Sequence, residues 1–392
     1  MSIDRNVLLE RHRPLLKYDS NESYFADSAE AWTDWKESRL MQGEKLIAAA
    51  TPTDGKPKLS LPFLVPDEYE GKVAVKASDL IGCRGGDYAK IAQELHRNPR
   101  YRNRMYGRAA EDSKGRWWLQ YWFFYVYNDF NLLGSLFGAG LHEGDWEMIQ
   151  LRLDENDVPD YAVYAQHKEA QVRRWHQVDV LPGTERPFVY VARGSHASYF
   201  SPGKHPTGAW WDFADGARRS PEVRLEIVDE HQPEWRWLLW PGHWGGTKVP
   251  RIKLPFDGDS PVGPCGHSQW DDPSTIAPDL PAEAAVAKKA APPAPPVLKE
   301  VQARREGNEL LIDYEAESAE GRALHGLVVT VNSPDMARVQ PLTRTIEAAD
   351  PSGTVQWPEE IDPDKRYDVQ VSAAFDDHMA TESRRLDLAP AA

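Results

Sequence analysis

The sequence predicts a mainly β protein: a large, aromatic-rich β-sandwich with a few helices, followed by a small second β-sandwich. Short apolar runs separated by Gly, Pro and Asp-rich turns are typical of strands. The 31 Pro and 27 Gly favour short elements joined by many turns. A chain of 392 residues exceeds the size at which one core stops growing, and an Ala/Pro-rich run divides it. We therefore expect two domains.

The first predicted domain covers residues 1–276. Its helices are expected at Ala29–Arg39 and Asp87–Arg97, the second with Asp87 as N-cap and apolar residues at helical spacing. Long strands are predicted at Trp117–Asn128, Trp146–Leu153, Tyr161–His167 and Phe188–Ala192.

Residues 277–297 are rich in Ala, Pro and Lys, which predicts an extended linker. Beyond it, residues 298–392 contain alternating strands at Leu310–Tyr314, Leu327–Val331 and Tyr367–Val371. Because Trp357-Pro358 precedes Arg366–Ala373 as in its late strands, this tail resembles a fibronectin type III domain. The resemblance implies that Tyr367 is a corner tyrosine bonded to upstream backbone, while an ordinary strand aromatic stays an alternative.

Charge and cysteine content exclude several classes of protein. Lys and Arg total 46 against 61 Asp and Glu, so the net charge of −15 argues against nucleic-acid binding and an anionic membrane surface. The start of the chain does not read as a secretion signal, and no run of about 18 apolar residues occurs. A cytoplasmic protein without a transmembrane segment is predicted, with non-classical export left open. Cys83 and Cys265 are expected to be free thiols, with one disulfide as the alternative.

The segment 140–151 carries the chemistry, because it joins an imidazole and carboxylates to the start of a strand. In an extended chain Asp145 and Glu147 share a face with Ile149. Two ionised, desolvated carboxylates need a positive partner, either a divalent cation or Arg or Lys. His142 favours a cation: Mg, Ca or Mn, or Zn if more His join.

Residues 141–147 resemble the heptapeptide Gly-His-Arg-His-Asp-Trp-Glu of necrosis- and ethylene-inducing-like toxins. In that family the first His, the Asp and the last Glu hold a divalent cation, which implies His142, Asp145 and Glu147 as metal ligands. The family's second His is Gly144 here. Toxin activity is therefore not implied.

Further site residues follow from neighbouring segments. The toxins have another metal Asp after an aromatic strand, which implies Asp129, and a strand ending in a His, which implies His167 as a pocket residue. A surface histidine is the alternative for His167. The Gly194–Ala197 segment follows an apolar run, so a turn is expected to aim His196 at the same end of the sandwich.

Aromatic residues are the last candidate group. Aromatic side chains often line small-molecule pockets, although most of the 15 Trp are expected to pack in the core. The candidates for stacking on a ligand are Trp210, Trp211 and Trp244.

Residues 8–276 resemble the vacuolar protein sorting-associated protein 62-like family through several segments in order. The resemblance implies the fold of the first domain and no particular substrate. The segments are Arg13–Leu16, Tyr24-Phe25, His142–Glu147, Gly194–Tyr199 and Gly242–Gly245.

Three functions remain open from the sequence. The first is cation-dependent binding of a polar ligand, a glycan or a lipid head group, as the toxin resemblance suggests. The second is a metal-dependent hydrolase of an ester or phosphoester, with His167 or His196 transferring protons. The third is an interaction scaffold whose carboxylates only form salt bridges.

Overall fold

A computed structural model describes residues 4–53, 55–83, 86–130, 141–166, 169–207, 210–219, 223–246, 261–278, 280, 297–317, 323–333, 342–375, 381 and 384–391. Within these ranges no helix is both long and apolar enough to cross a membrane.

The first domain combines many strands with short helices. Its described α-helices are α1 (Arg5–Arg11), α2 (Glu30–Asp34), α3 (Tyr88–Arg97) and α4 (Ser268–Asp271). Its described 3-10 helices are Leu61–Phe63, Trp175–Gln177, Pro233–Leu239, Pro264–Gly266 and Pro273–Ile276. Its described strands are β1 (Leu15–Tyr18), β2 (Arg39–Gln42), β3 (Lys45–Ala49), β4 (Glu68–Tyr69), β5 (Val73–Ala74), β6 (Asp79–Gly82), β7 (Arg104–Glu111), β8 (Trp117–Asp129), β9 (Leu141–Leu153), β10 (Pro159–Gln166), β11 (Glu169–Arg174), β12 (Phe188–Val191), β13 (Ser198–Tyr199), β14 (Gly203–Thr207), β15 (Trp210–Ala214), β16 (Arg218–Arg219) and β17 (Arg224–Ile227).

The two predicted helices differ in outcome. The Asp87 side chain accepts a hydrogen bond from the Lys90 amide at 3.1 Å and caps α3, as predicted. The helix expected at Ala29–Arg39 stops at Asp34, because residues from Arg39 onward form β2 and pair with β3 and β6. Strand pairing overrides the helical pattern there.

Two sheets enclose the first core. One has six strands in the order β11-β10-β9-β8-β7-β17, and the other has four in the order β13-β12-β1-β16. Tyr164 of β10 donates a hydrogen bond to the Phe188 carbonyl of β12 at 2.9 Å, and Tyr18 and Val189 share one buried core with Phe123. The two sheets therefore pack face to face, as the predicted sandwich requires.

The other face of the six-stranded sheet is covered by tryptophans. Trp146 of β9 lies 5.1 Å from Phe124 and 5.4 Å from Trp244, measured between ring centroids. Trp237 and Trp240 lie 5.7 and 5.8 Å from Trp244. Both faces of β9 are thus buried.

The C-terminal domain is a separate sandwich with its own core. One sheet has the strand order 297–306, 309–317 and 352–356, and the other has the order 342–347, 324–332, 367–375 and 384–388. This arrangement is fibronectin type III-like, and the Tyr367 hydroxyl accepts a hydrogen bond from the Asp362 amide at 2.9 Å, as predicted for a corner tyrosine. Its described strands are β18 (Val297–Glu306), β19 (Glu309–Glu317), β20 (Leu324–Asn332), β21 (Leu342–Glu347), β22 (Ser352–Gln356), β23 (Tyr367–Phe375) and β24 (Arg384–Leu388).

The predicted linker at 277–297 lies almost wholly outside the described residues. Its first residue, Ala277, is buried with Trp118 of β8 and therefore packs with the first domain.

Candidate functional site

Asp145 and Glu147 enter the core between the two sheets. Side chains alternate along β9, so Trp146 reaches the tryptophan cluster while its two neighbours face the four-stranded sheet. Asp145 and Glu147 keep only 6% and 9% exposure. Burial, followed by the charges of Asp145 and Asp212, raises the pKa of Glu147 well above its ordinary value. Among the described residues, no hydrogen bond or ion pair to Glu147 is found.

His196 is the imidazole that meets these carboxylates. It lies in the turn after β12 with φ of +57° and is fully buried. Its Nδ1 lies 2.8 Å from Asp145 Oδ2, and its ring stacks on Tyr125 with centroids 3.9 Å apart. This distance is that of a hydrogen bond between the imidazole and the carboxyl group. The other nitrogen, Nε2, has no hydrogen-bond partner and lies 3.9 Å from Glu22 Oε1.

Glu22 joins the loop after β1 to the His196 turn. Its Oε1 accepts hydrogen bonds from the Ser23 and Tyr24 amides at 2.8 and 2.9 Å, and its Oε2 accepts one from the Gly194 amide at 2.7 Å. Burial raises the pKa of Glu22, against the opposing effect of His196 and these amides. Sequence reasoning missed Glu22, although an acidic, turn-rich run directly after an apolar strand was a usable signal.

His142 is not brought to the carboxylates. It pairs with Asn128 in the sheet register, three residues from Asp145, and its Nδ1 lies 2.7 Å from the Gly144 carbonyl oxygen. No cluster of three His, Cys, Asp or Glu side chains suited to a metal ion occurs in the part of the chain that the structure describes. Asp145 and Glu147 share one face of β9, whereas the His142 ring bonds to the Gly144 carbonyl oxygen.

Asp129, the fourth predicted ligand, ends β8 beside the same turn. Its side chain is exposed, and its amide donates a hydrogen bond to the Gly194 carbonyl at 2.9 Å. Asp129 therefore lies at the same end of the sandwich as the His196 turn, but its side chain is not in the core.

Gly144 explains why this segment departs from the toxin heptapeptide. Its φ is +60°, and a Cβ there would lie 2.2 Å from the Trp244 carbonyl oxygen. That separation is far below van der Waals contact, so the position of the toxins' second His carries no side chain in this fold.

The remaining predicted residues have other placements. Trp244 is fully buried in the tryptophan cluster, so it has no open ring face for a ligand, and the stacking prediction is corrected to a packing role. Trp210 and Trp211 begin β15, but their side chains lie outside the described part, as does His167. These three candidates remain predictions.

The two cysteines are free thiols, as predicted. Cys83 Sγ donates to Glu143 Oε1 at 3.2 Å, whereas Cys265 Sγ donates to the Trp240 carbonyl at 3.3 Å. The buried Glu143 also accepts from the Tyr88 hydroxyl at 2.7 Å. Glu143 therefore ties the start of β9 to α3 and is occupied by structural contacts.

Comparison with known proteins gives distant similarity. The chain matches no protein-family model. It is 27% identical over 175 residues to "Putative vacuolar protein sorting-associated protein TDA6" of Saccharomyces cerevisiae, covering 35% of this chain and 37% of the relative. It is 25% identical over 195 residues to "Vacuolar protein sorting-associated protein 62" of the same yeast, covering 39% and 41%. The chain thus spans about two fifths of the length of these relatives.

Solved structures resemble the chain only slightly. The chicken CNTN1 FN1-FN3 domains are 13% identical over 74% of this chain with a TM-score of 0.20. A structure titled "Myokine structure" is 15% identical over 26% of the chain with a TM-score of 0.19. Such scores do not assign a fold, which rests here on the strand order.

Proposed function

We propose that the first domain binds a divalent cation at Asp145 and Glu147 and uses it to hold an oxygen-rich polar ligand, a glycan or a lipid head group. The observation that carries this proposal is the buried Glu147 side chain, which has no hydrogen-bond or ion-pair partner among the described residues and shares a strand face with Asp145. Ionising a buried carboxyl group without a positive partner is costly, and a cation that takes the place of the proton removes that cost.

The atoms that remain open suit a hard cation. Among the described residues, His196 and Asn128 approach Asp145 through Oδ2 only, and no hydrogen bond or ion pair is found that engages Oδ1 or the Glu147 oxygens on the same strand face. Mg²⁺ is often held by one or two carboxylates, with water and ligand oxygens completing its shell. In the described part of the chain, the only imidazole hydrogen-bonded to either carboxyl group is that of His196, so Mg, Ca or Mn is favoured over Zn.

The two other functions have less support. In a hydrolase, His196 would transfer protons through Nε2, but that atom is fully buried and faces Glu22. A scaffold would pair its carboxylates with Arg or Lys, yet Asp145 meets an imidazole and Glu147 meets no described cation. The yeast relatives support placing the first domain in the vacuolar protein sorting-associated protein 62-like family. Their names specify no ligand.

Metal content tests the proposal. The full chain is equilibrated with Mg²⁺, Ca²⁺, Mn²⁺ or Zn²⁺, desalted and analysed by elemental mass spectrometry, beside Asp145→Asn and Glu147→Gln. Wild type is expected to retain one ion per chain and each variant roughly a tenth of that or less, since a binding loss of about 1.4 kcal/mol is already tenfold.

The matched control is Asp112→Asn, another buried carboxylate, which is held by the Trp118 indole at 2.9 Å. This variant is expected to keep its ion. The proposal would be contradicted if wild type held no metal and its melting temperature did not change when cations were added. Full retention of metal in both site variants would also contradict it.

A further inference from the structure

The outer face of the four-stranded sheet in the C-terminal sandwich is covered. Val328 and Thr330 of β20 lie opposite Ser372 and Gln370 of β23, and their side chains point away from the domain's own core. All four residues are buried, between 1% and 5% exposed. The outward face of a lone sandwich would instead be solvated.

Part of the cover comes from the first domain. Strand β14 lies against β21, and a Cβ built on Gly203 of β14 would lie 3.7 Å from both methyl groups of Val328. Strand β14 pairs with β15 in a hairpin, with His205 opposite Asp212. The tail therefore rests on this hairpin.

The same hairpin holds the turn between β12 and β13. Asp212 of β15 is fully buried and accepts hydrogen bonds from Ser195 Oγ at 2.7 Å and the Tyr199 hydroxyl at 2.6 Å. The Arg193 amide donates to the Phe213 carbonyl at 2.8 Å. Two short hydrogen bonds to one buried carboxyl group and a backbone bond join the turn to the hairpin, so we treat them as one unit.

We infer that the C-terminal sandwich is a clamp: by covering the β14–β15 hairpin, it holds residues 193–199 and so fixes His196 against Asp145. Hydrogen bonds to Ser195 and Tyr199 lie on either side of His196, and losing the tail would expose the hairpin that accepts them. The clamp is a property of the fold and does not depend on a bound cation.

Hydrogen exchange of the full chain, followed by mass spectrometry, tests the clamp. Val328→Arg places a charge in the covered face and is expected to separate the tail from the hairpin. Peptides spanning 192–199 should then exchange about ten-fold faster, because local opening sets exchange rates and the His196 amide donates to the Ala192 carbonyl within this turn. Ser372→Arg, directly opposite Val328, should act in the same way.

The matched control is Gln356→Arg, at an exposed strand position on the other sheet of the same sandwich. It should leave the exchange of 192–199 unchanged. Unchanged exchange in Val328→Arg and Ser372→Arg would overturn the clamp. This holds even if a variant unfolds the tail, because an unfolded tail cannot cover the hairpin.

Discussion

Buried carboxylates in the first domain have different partners. Glu22 accepts hydrogen bonds from three backbone amides, Asp212 accepts them from two hydroxyls, and Asp145 is hydrogen-bonded to His196. Such bonds compensate for lost hydration, which is why these groups are tolerated in a core. Glu147 lacks this compensation among the described residues, which is why we propose it as a cation ligand.

Asp19 and Asp215 form a second pair of buried carboxyl groups beside β1. The Asp215 amide donates to Asp19 Oδ2 at 3.3 Å, while the Ser20 amide and hydroxyl donate to Asp215 at 2.9 and 2.6 Å. Burial, followed by the charge of Asp19, raises the pKa of Asp215 to about 7. Asp215 is therefore a pH-sensitive group near neutrality.

We predict that this pair makes the protein less stable as pH rises. A carboxyl whose folded pKa is raised contributes stability that is fully present below its unfolded pKa of about 4. That contribution is lost as pH rises through about 7. At pH 5 the melting temperature of wild type should be higher than that of Asp215→Asn. At pH 8 the difference between the two melting temperatures should be smaller.

Asp112→Asn is the control for this pH dependence. Against the effect of burial, hydrogen bonds from Trp118 and backbone amides lower the pKa of Asp112, so its contribution is constant between pH 5 and 8. A gap between wild type and Asp215→Asn that is equal at both pH values would refute the prediction.

At the scale of elements, strand β9 passes directly beneath the Trp244 backbone. The contact is possible only because residue 144 is glycine, with φ of +60° and no Cβ. On one side of residue 144, the Glu143 side chain bonds to Tyr88 of α3. On the other side, the Trp146 ring packs against Trp244. The same crossing holds Asp145 at its place between the sheets.

Gly144→Ala is predicted to destabilise the protein far more than Gly43→Ala. Both glycines have φ of +60°, but a Cβ at Gly43 meets nothing within 4 Å, whereas at Gly144 it meets backbone. The backbone strain is thus the same, roughly 1 kcal/mol, and the clash should add about 2 kcal/mol or more. Urea unfolding measures the loss of unfolding free energy in each variant. Equal losses in the two variants would show that the backbone at residue 144 shifts without cost and would contradict the prediction.

At the scale of the whole molecule, the two sandwiches have separate cores. Trp357 is the only tryptophan beyond residue 276, so tryptophan signals report mainly on the first domain. A cation bound at Asp145 and Glu147 stabilises only the domain that holds it.

We therefore predict that Mg²⁺ or Ca²⁺ raises the unfolding temperature followed by tryptophan fluorescence. At 100 times the dissociation constant the gain is about 2.7 kcal/mol. Calorimetry should show that the transition of the C-terminal sandwich moves less. Glu147→Gln should abolish the shift, and an equal shift in that variant would place the ion elsewhere.

Much of the fold was predictable because its signals are local. Alternation and turn residues identified the cores of β8, β9, β10 and β12, and the Asp87 cap identified α3. The short α2 was not predictable, since pairing of Arg39 and its neighbours in β2 depends on distant strands.

The sequence by itself determined that Asp145 and Glu147 share a strand face and that the tail is a small sandwich, while the structure decided between the open alternatives for Tyr367 and for the two cysteines. The strand face and the small sandwich follow from periodicity over a few residues. Only the tertiary structure decided which imidazole meets Asp145: His196, 51 residues away, and not the nearby His142. It likewise brought Glu22 to Gly194, 172 residues apart. Contacts between residues so far apart in the sequence depend on how the sheets pack. The local sequence pattern carries no information about sheet packing.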